Sequence, residues 1–117
     1  MKDRKRREQQ GRRGEVLAAW YLRFKGWQVL ARRVKTPRGE IDLIVRRRRT
    51  IAFVEVKWRQ RAEDLDLAID EYRLRRVIGA AEAVATRYVR AGDLQRVDVL
   101  LLAPGCWPRH IINASQS

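Results

Sequence analysis

Residues 40–46 (EIDLIVR) and 51–57 (IAFVEVK) are two short runs rich in β-branched side chains, separated by an Arg-Thr stretch, and they constrain the fold more than any other part of the chain. They predict an antiparallel hairpin. Folded symmetrically about Arg48-Arg49, the cross-strand pairs are Ile41/Val56, Asp42/Glu55, Leu43/Val54, Ile44/Phe53 and Val45/Ala52. Side chains alternate between faces along a strand. One face then carries Ile41, Leu43, Val45, Ala52, Val54 and Val56 and is uniformly apolar. The other is apolar near the turn but holds Glu40, Asp42, Glu55 and Lys57 at its open end. Opposed residues have Cβ atoms roughly 5 Å apart, so this register presses two carboxylates together beside a lysine. A divalent cation would relieve their repulsion. Charged strand residues are more commonly just solvated surface. The acid opposed to Glu55, with apolar neighbours on both, lifts the set above a bare E-x-K tripeptide.

The remaining pattern predicts one α/β unit without repeats, in the order α-β-β-β-α-β-β. Residues 1–10 read as a flexible basic arm and residues 11–117 as a single domain. Gly14 opens a helix to about Lys25, with Leu17, Trp20, Tyr21 and Phe24 as its core stripe, and Gly26 supplies a left-handed end. Residues 27–32 (WQVLAR) read as a strand, 36–39 as a turn and 59–66 as a polar loop. A second helix spans about 70–90, with Leu74, Val77, Ile78, Ala81, Val84, Ala85 and Tyr88 as its stripe and Gly92 after its end. Residues 96–102 (RVDVLLL) form an apolar strand, and 110–113 a short last one after Pro104-Gly105. A helix joining the third strand to the fourth implies a mixed sheet with helices packed on it.

Charge narrows the partners. The 117 residues carry 27 Lys and Arg against 14 Asp and Glu, a formal net charge of +13. Such a surplus costs self-repulsion and favours a polyanionic partner. The basic residues cluster at 2–13, Arg32-Arg33 and Arg38, 46–49, Arg59 and Arg61, and 73–76. Arg predominates, and its planar fork binds phosphate bidentately. A codon bias toward Arg explains the Arg/Lys ratio as readily as selection does, but it does not explain the net charge.

Other classes fall away more cheaply. No apolar run approaches the roughly 20 residues that span a bilayer, and the basic N-terminus leads into no apolar signal region. One cysteine, Cys106, cannot close an internal disulfide and suits a reducing cytoplasm. With one Cys and one His (His110), a Cys/His zinc site is not available, and His110 reads as structural or exposed rather than a general base. No phosphate-binding loop, nucleophile elbow or dinucleotide glycine pattern is present. A metal would need oxygen ligands, which points to Mg²⁺ or Mn²⁺. Glu15 stands in the first turn of the first helix, off its apolar stripe, where a carboxylate is favoured by the helix N-terminus alone.

These residues carry a family resemblance. Gly14-Glu15, Ala18-Ala19, Tyr21-Leu22 and Gly26-Trp27 come first, then residues 39–44 (GEIDLI), 53–57 (FVEVK) and Arg59. Further on come residues 73–76 leading into a helix with Ala80-Ala81, then 96–99 (RVDV) and 110–114 (HIINA). Together they resemble the YraN-type family of small bacterial proteins, related to archaeal Holliday-junction resolvases within the PD-(D/E)xK nuclease superfamily. The resemblance covers roughly residues 11–114. It departs from the family at Arg33, where an Asn is usual, and at Leu74, near a usual Lys. It implies a restriction-endonuclease-like mixed central sheet flanked by helices, with Asp42 and Glu55 as metal ligands and Lys57 as the catalytic lysine. It also implies that Glu15 completes the acidic set. The Val56 carbonyl, between Glu55 and Lys57, is a further candidate ligand.

The function expected is Mg²⁺- or Mn²⁺-dependent hydrolysis of phosphodiester bonds in branched or otherwise structured DNA. Arg12, Arg13, Arg38, Arg59, Arg73 and Arg76 are the expected nucleic-acid contacts, a homodimer is a further expectation, and neither a membrane nor a small-molecule cofactor is implied. Two other classes compete: a basic nucleic-acid-binding module without turnover, and an interaction protein that meets RNA or the ribosome.

Overall fold

The structure is a computed structural model and describes residues 14–60 and 71–114. The basic arm at 1–10, Arg12, Arg13, Arg61 and most of the polar loop at 59–66 lie outside the described residues. A first helix, α1, occupies 14–24. It ends where Gly26 takes φ +93°. There the Gly26 N–H donates to the Arg23 carbonyl at 3.0 Å and the Trp27 N–H to the Leu22 carbonyl at 2.9 Å. That pair of bonds satisfies carbonyls the helix leaves open, and glycine enters the left-handed region without the Cβ penalty.

Strands β1 (Gln28–Thr36), β2 (Gly39–Arg47) and β3 (Thr50–Trp58) follow, then helix α2 (Glu71–Tyr88) and strands β4 (Leu94–Leu102) and β5 (Arg109–Ile111). Among the described residues the order is α-β-β-β-α-β-β, as the sequence predicts. The strands lie in the sheet in chain order. Neighbours pair antiparallel except β3 and β4, which run parallel and are joined through α2. The fold class is thus the mixed sheet flanked by helices. β1 is longer than the predicted 27–32, because its pairing with β2 continues to the Thr36/Gly39 turn. In that turn the Thr36 hydroxyl accepts the N–H groups of Arg38 and Gly39, each at 3.1 Å. Gly39 is obligatory for packing: a Cβ there would lie 2.6 Å from the Arg76 carbonyl oxygen of α2.

Two apolar layers sandwich the sheet. On one side Ala18, Ala19 and Leu22 of α1, with Trp27, meet Leu43, Val45, Ala52, Val54, Leu100 and Leu102. On the other Val77, Ala80, Ala81 and Val84 of α2 meet Ile41, Ile44, Ile51, Phe53 and Val97. Each fully buried Leu, Ile or Phe contributes roughly 2 kcal/mol by leaving water. The α2 stripe agrees with the prediction. The α1 stripe does not: Leu17, Trp20 and Phe24 are exposed, Phe24 at 87%, and only Tyr21 of the four packs against the core. Small residues carry this contact instead, because they bring the helix backbone close to the sheet. At Gly14 an added Cβ would sit 3.8 Å from Trp58 and Leu102.

Candidate functional site

The β2–β3 ladder runs in the predicted register from Arg47/Thr50 to Leu43/Val54, and there it stops. Asp42 and Glu55 are therefore not a ladder pair, which corrects the symmetric pairing at its open end. The Asp42 carboxylate turns into the gap between the parting strands, where its Oδ2 accepts the Val56 N–H at 2.8 Å. β2 bends at this point. Ile41 packs on the α2 side while Leu43, two residues on, packs on the α1 side, so the uniformly apolar face predicted for the hairpin fails at Ile41. A strand that loses its partner on one edge is free to twist, and the Asp42 side chain fills the hydrogen-bonding vacancy.

Around Asp42 the charges crowd. Burial, opposed by the Val56 hydrogen bond and reinforced by the negative charges of Glu55, Glu15 and Glu40, pushes its carboxyl up to about 7. Lys57 is buried, with its Nζ 3.2 Å from Glu55 Oε1 and no other hydrogen-bond acceptor among the described residues. Burial lowers its pKa, and Arg73 and Arg59 add to that against the opposing pull of Glu55. Glu40, Asp42 and Glu55 line a pocket of about 390 Å³ that Tyr72, Arg73, Arg76 and Val77 of α2 close from the other side. Arginines and carboxylates thus share one concavity.

Glu15 reaches this region from α1. Its side chain is only 13% exposed. Oε2 accepts from Arg33 Nε at 2.8 Å, and Oε1 is buried without a partner among the described residues. Arg33 lies between the Arg32/Leu43 and Val34/Ile41 pairs of the β1–β2 ladder, so its position faces Asp42. Its φ of +53° is left-handed, a conformation costing a residue with a Cβ of order 1 kcal/mol or more. The sequence marks Arg33 as part of a basic cluster and as a departure from the family pattern, not as a partner of Glu15. No sequence signal announces a left-handed arginine within a strand. Tyr72 was also not foreseen in the pocket.

The other expected contacts divide. Arg73 and Arg76 face the pocket. Arg59 extends β3, its N–H donating to the Leu102 carbonyl at 2.9 Å. Arg38 lies along α2, where it pairs with Glu82 at 2.9 Å. It packs over Gly79, at which a Cβ would approach its guanidinium to 3.1 Å. Arg46, in the basic run at the hairpin tip, is an internal strut: it holds Asp93 at 2.6 Å and donates to the Tyr88 carbonyl.

The donor chemistry suits a hard cation. Oxygen ligands, a desolvated carboxylate in surplus negative charge and an unpartnered buried Glu15 oxygen meet the needs of Mg²⁺ or Mn²⁺. Yet among the described residues no three carboxylate or imidazole groups converge as a ready cage. The reason is visible: Lys57 holds Glu55, and Arg33 holds Glu15. A divalent ion would have to compete with these two resident cations. His110 belongs elsewhere. Its Nε2 lies 2.7 Å from the fully buried Asp98, which also accepts the Asn113 N–H at 2.9 Å and pairs with Arg96 at 3.1 Å. These contacts outweigh burial and hold Asp98 below the usual carboxylate range. Cys106 is exposed, and no described helix is long and apolar enough to cross a membrane.

Comparison with known proteins covers this whole frame. Residues 14–102 match the model of the uncharacterised protein family UPF0102. A UPF0102 protein of Erythrobacter litoralis is 62% identical over 109 residues, 93% of this chain and 94% of that protein. One from Sphingopyxis alaskensis is 57% identical over the same length, with the same coverage. A third, from Methylorubrum extorquens, is 49% identical over 105 residues, 89% of this chain and 82% of its own. With a family model across both helices and the first four strands, and relatives of this identity over nearly the full length, the chain belongs to the UPF0102 family, the YraN-type family whose motifs it carries.

Proposed function

We propose that this protein is a divalent-cation-dependent endonuclease acting on branched or otherwise structured DNA. One observation carries the reading: the half-buried Asp42 carboxylate, set between parting strands, shares its pocket with Glu55 and two arginines, while Glu15 adds its charge nearby and Lys57 pairs with Glu55. Asp42 and Glu55 would hold Mg²⁺ or Mn²⁺, with Glu15 and the Val56 carbonyl as further donors. The ion's chemistry would be Lewis acidity toward the phosphoryl group and a lowered pKa for bound water.

The chain's own residues supply the rest. Lys57, its ammonium desolvated and its pKa lowered, would orient a water and give its positive charge to the developing phosphorane oxygens. Arg73 and Arg76 would clamp the phosphates flanking the scissile one, since a guanidinium fork positions phosphate better than a point charge does. The Val56 N–H fixes Asp42 so that it need not reorganise when charge develops.

A second reading, nucleic-acid binding without turnover, draws on one fact: Glu15 and Glu55 are already paired with arginine and lysine, so among the described residues no ligand cage stands preformed. A panel of branched, flap, linear duplex and single-stranded DNA, incubated with Mg²⁺, Mn²⁺ or EDTA, separates the two. Metal-dependent cleavage of at least one structure is expected. Binding without cleavage under every metal condition selects the second reading.

A further inference from the structure

A second concavity, of about 490 Å³, opens at the other end of α2. It is lined by Gln28, Leu30, Arg46, the last turn of α2, Val89 and Arg90, and among the described residues no carboxylate lines it. Within it Arg46 is spent: its guanidinium donates to Asp93 through two nitrogens and to the Tyr88 and Arg48 carbonyls. Arg87 and Arg90 are different. Both are exposed, and neither side chain makes an ion pair among the described residues. The nearby acids are already neutralised, Glu82 by Arg38 and Asp93 by Arg46. The Asp93 carboxyl, held first by Arg46 and then by the Arg90 N–H, falls to about 2, so it keeps its charge and its partner at any ordinary pH. What remains at the cleft is two exposed guanidiniums beside Thr86, Arg90 adding only the smallest share to the hold on Asp93.

The spacing gives this surplus meaning. Arg73 and Arg87 are fourteen residues apart on one helix, about four turns, and so project from the same side about 21 Å apart. Both concavities lie where α2 meets the β1–β2 side of the sheet, one at each end of the helix. A B-form duplex advances about 3.4 Å per base pair, so the separation corresponds to about six base pairs. A helix packed on a sheet fixes that distance rigidly. A single small anion would have no use for two sites so far apart, whereas a stiff polyanion would.

We propose that the Arg87–Arg90 cleft binds the phosphodiester backbone of duplex DNA about six base pairs from the acidic pocket. This rests on the nucleic-acid reading above but not on turnover. The two ends of α2 then play unlike parts: Arg73 and Arg76 act beside carboxylates that can take a cation, while Arg87 and Arg90 anchor the duplex at a cleft that no described carboxylate lines.

The test measures binding in EDTA, so that cleavage plays no part. Fluorescent DNA hairpins with stems of 5 and 12 base pairs are titrated with wild type, with the Arg87→Ser/Arg90→Ser double variant, and with an Arg23→Ser/Lys25→Ser control that removes two exposed charges from the α1 side. On the long stem the Arg87/Arg90 variant should lose about tenfold in affinity, and the slope of log affinity against log salt should fall by about two, roughly one per lost phosphate contact. On the short stem it should match wild type, and the control should lose little on either. An equal loss in the control, or an unchanged slope in the Arg87/Arg90 variant, overturns the cleft. Tighter binding of a 12-base-pair RNA stem than of the DNA stem overturns the DNA assignment. Cleft-dependent binding by a protein that cleaves nothing leaves this inference standing and removes the nuclease reading; absence of DNA binding by wild type removes both.

Discussion

Asp42 and Val56 are joined across a gap that no backbone rung spans: the Asp42 carboxylate accepts the Val56 N–H at 2.8 Å, the two residues lying one and two positions beyond the last β2–β3 ladder pair. A side chain thus completes the sheet at the point where the sheet opens. The same carboxylate carries the strain of a desolvated charge, its pKa pushed up to about 7 first by burial and then by Glu55, Glu15 and Glu40.

That strain sets a pH dependence. An acid whose folded pKa exceeds its unfolded value of about 4 holds its proton more tightly when folded. The unfolded state therefore binds fewer protons between pH 4 and 7, and stability from this group falls as pH rises through that window. Ionised Asp42 costs the fold at most about 4 kcal/mol above pH 7, at about 1.4 kcal/mol per tenfold change in acidity. Asp42→Asn keeps an acceptor for the Val56 N–H and removes the charge. Melting in EDTA should show the variant more stable than wild type at pH 8 and the difference vanishing near pH 4. A pH-independent difference would contradict the burial argument. Asp98 acts with the opposite sign, since its lowered pKa gives stability that is lost as pH falls below 4, so the comparison between variants, rather than the wild-type curve alone, isolates Asp42.

Arg33 and Glu15 give a second expectation. The guanidinium neutralises Glu15 at 2.8 Å from a left-handed backbone. Arg33→Ala should tighten Mn²⁺ binding about fivefold by calorimetry, because a half-exposed ion pair is worth up to about 1 kcal/mol and its loss frees the carboxylate. Arg33→Gly removes the same charge and also relieves the positive φ, so it should melt at a higher temperature than Arg33→Ala. Equal Mn²⁺ affinity in all three proteins would show that Glu15 takes no part in holding a cation.

How far the sequence carried can be read at particular residues. The hairpin register was legible because a two-residue turn and a period of two leave one pairing that buries the apolar set, and Leu43, Ile44 and Val45 found their predicted partners. The α2 stripe was legible for the same reason, as its large apolar residues are the ones that pack. Neither logic reaches α1, where the contact is made by Gly14, Ala18, Ala19 and Leu22 and the large residues Trp20 and Phe24 face outward. Size misleads wherever close approach decides. The bend at Ile41, the left-handed Arg33 and the Arg46–Asp93 strut, whose partners lie 47 residues apart, depend on tertiary geometry that no local pattern encodes.

The strut yields its own prediction. Arg46 sits in a run of four basic residues that reads as a nucleic-acid contact, yet it ties β2 to the Asp93 loop and the end of α2. Arg46→Ser should lower the melting temperature by several degrees, since it strands Asp93 and the Tyr88 carbonyl without their donor. Arg48→Ser, at the exposed turn, should leave melting unchanged. Equal melting of the two variants would mean that Arg46 bears no structural load.

The last prediction separates enzyme from binder at the pocket itself. Asp42→Asn preserves shape and the Val56 hydrogen bond but removes a negative charge from the proposed ligand set. It should abolish metal-dependent cleavage, weaken Mn²⁺ binding and leave DNA affinity intact or tighter, because a carboxylate facing phosphate repels it when no metal intervenes. Lys57→Ala should abolish cleavage just as fully. An ammonium has no lone pair to offer a metal, and removing it frees Glu55 from the ion pair at 3.2 Å, so Mn²⁺ should bind this variant at least as well as wild type. The two variants should agree in activity and part company in a Mn²⁺ titration. Wild-type cleavage undiminished in Asp42→Asn would end the nuclease reading, whatever the DNA affinity. Loss of Mn²⁺ binding in Lys57→Ala would instead show that the lysine organises the carboxylates, and that its charge is not what the chemistry uses.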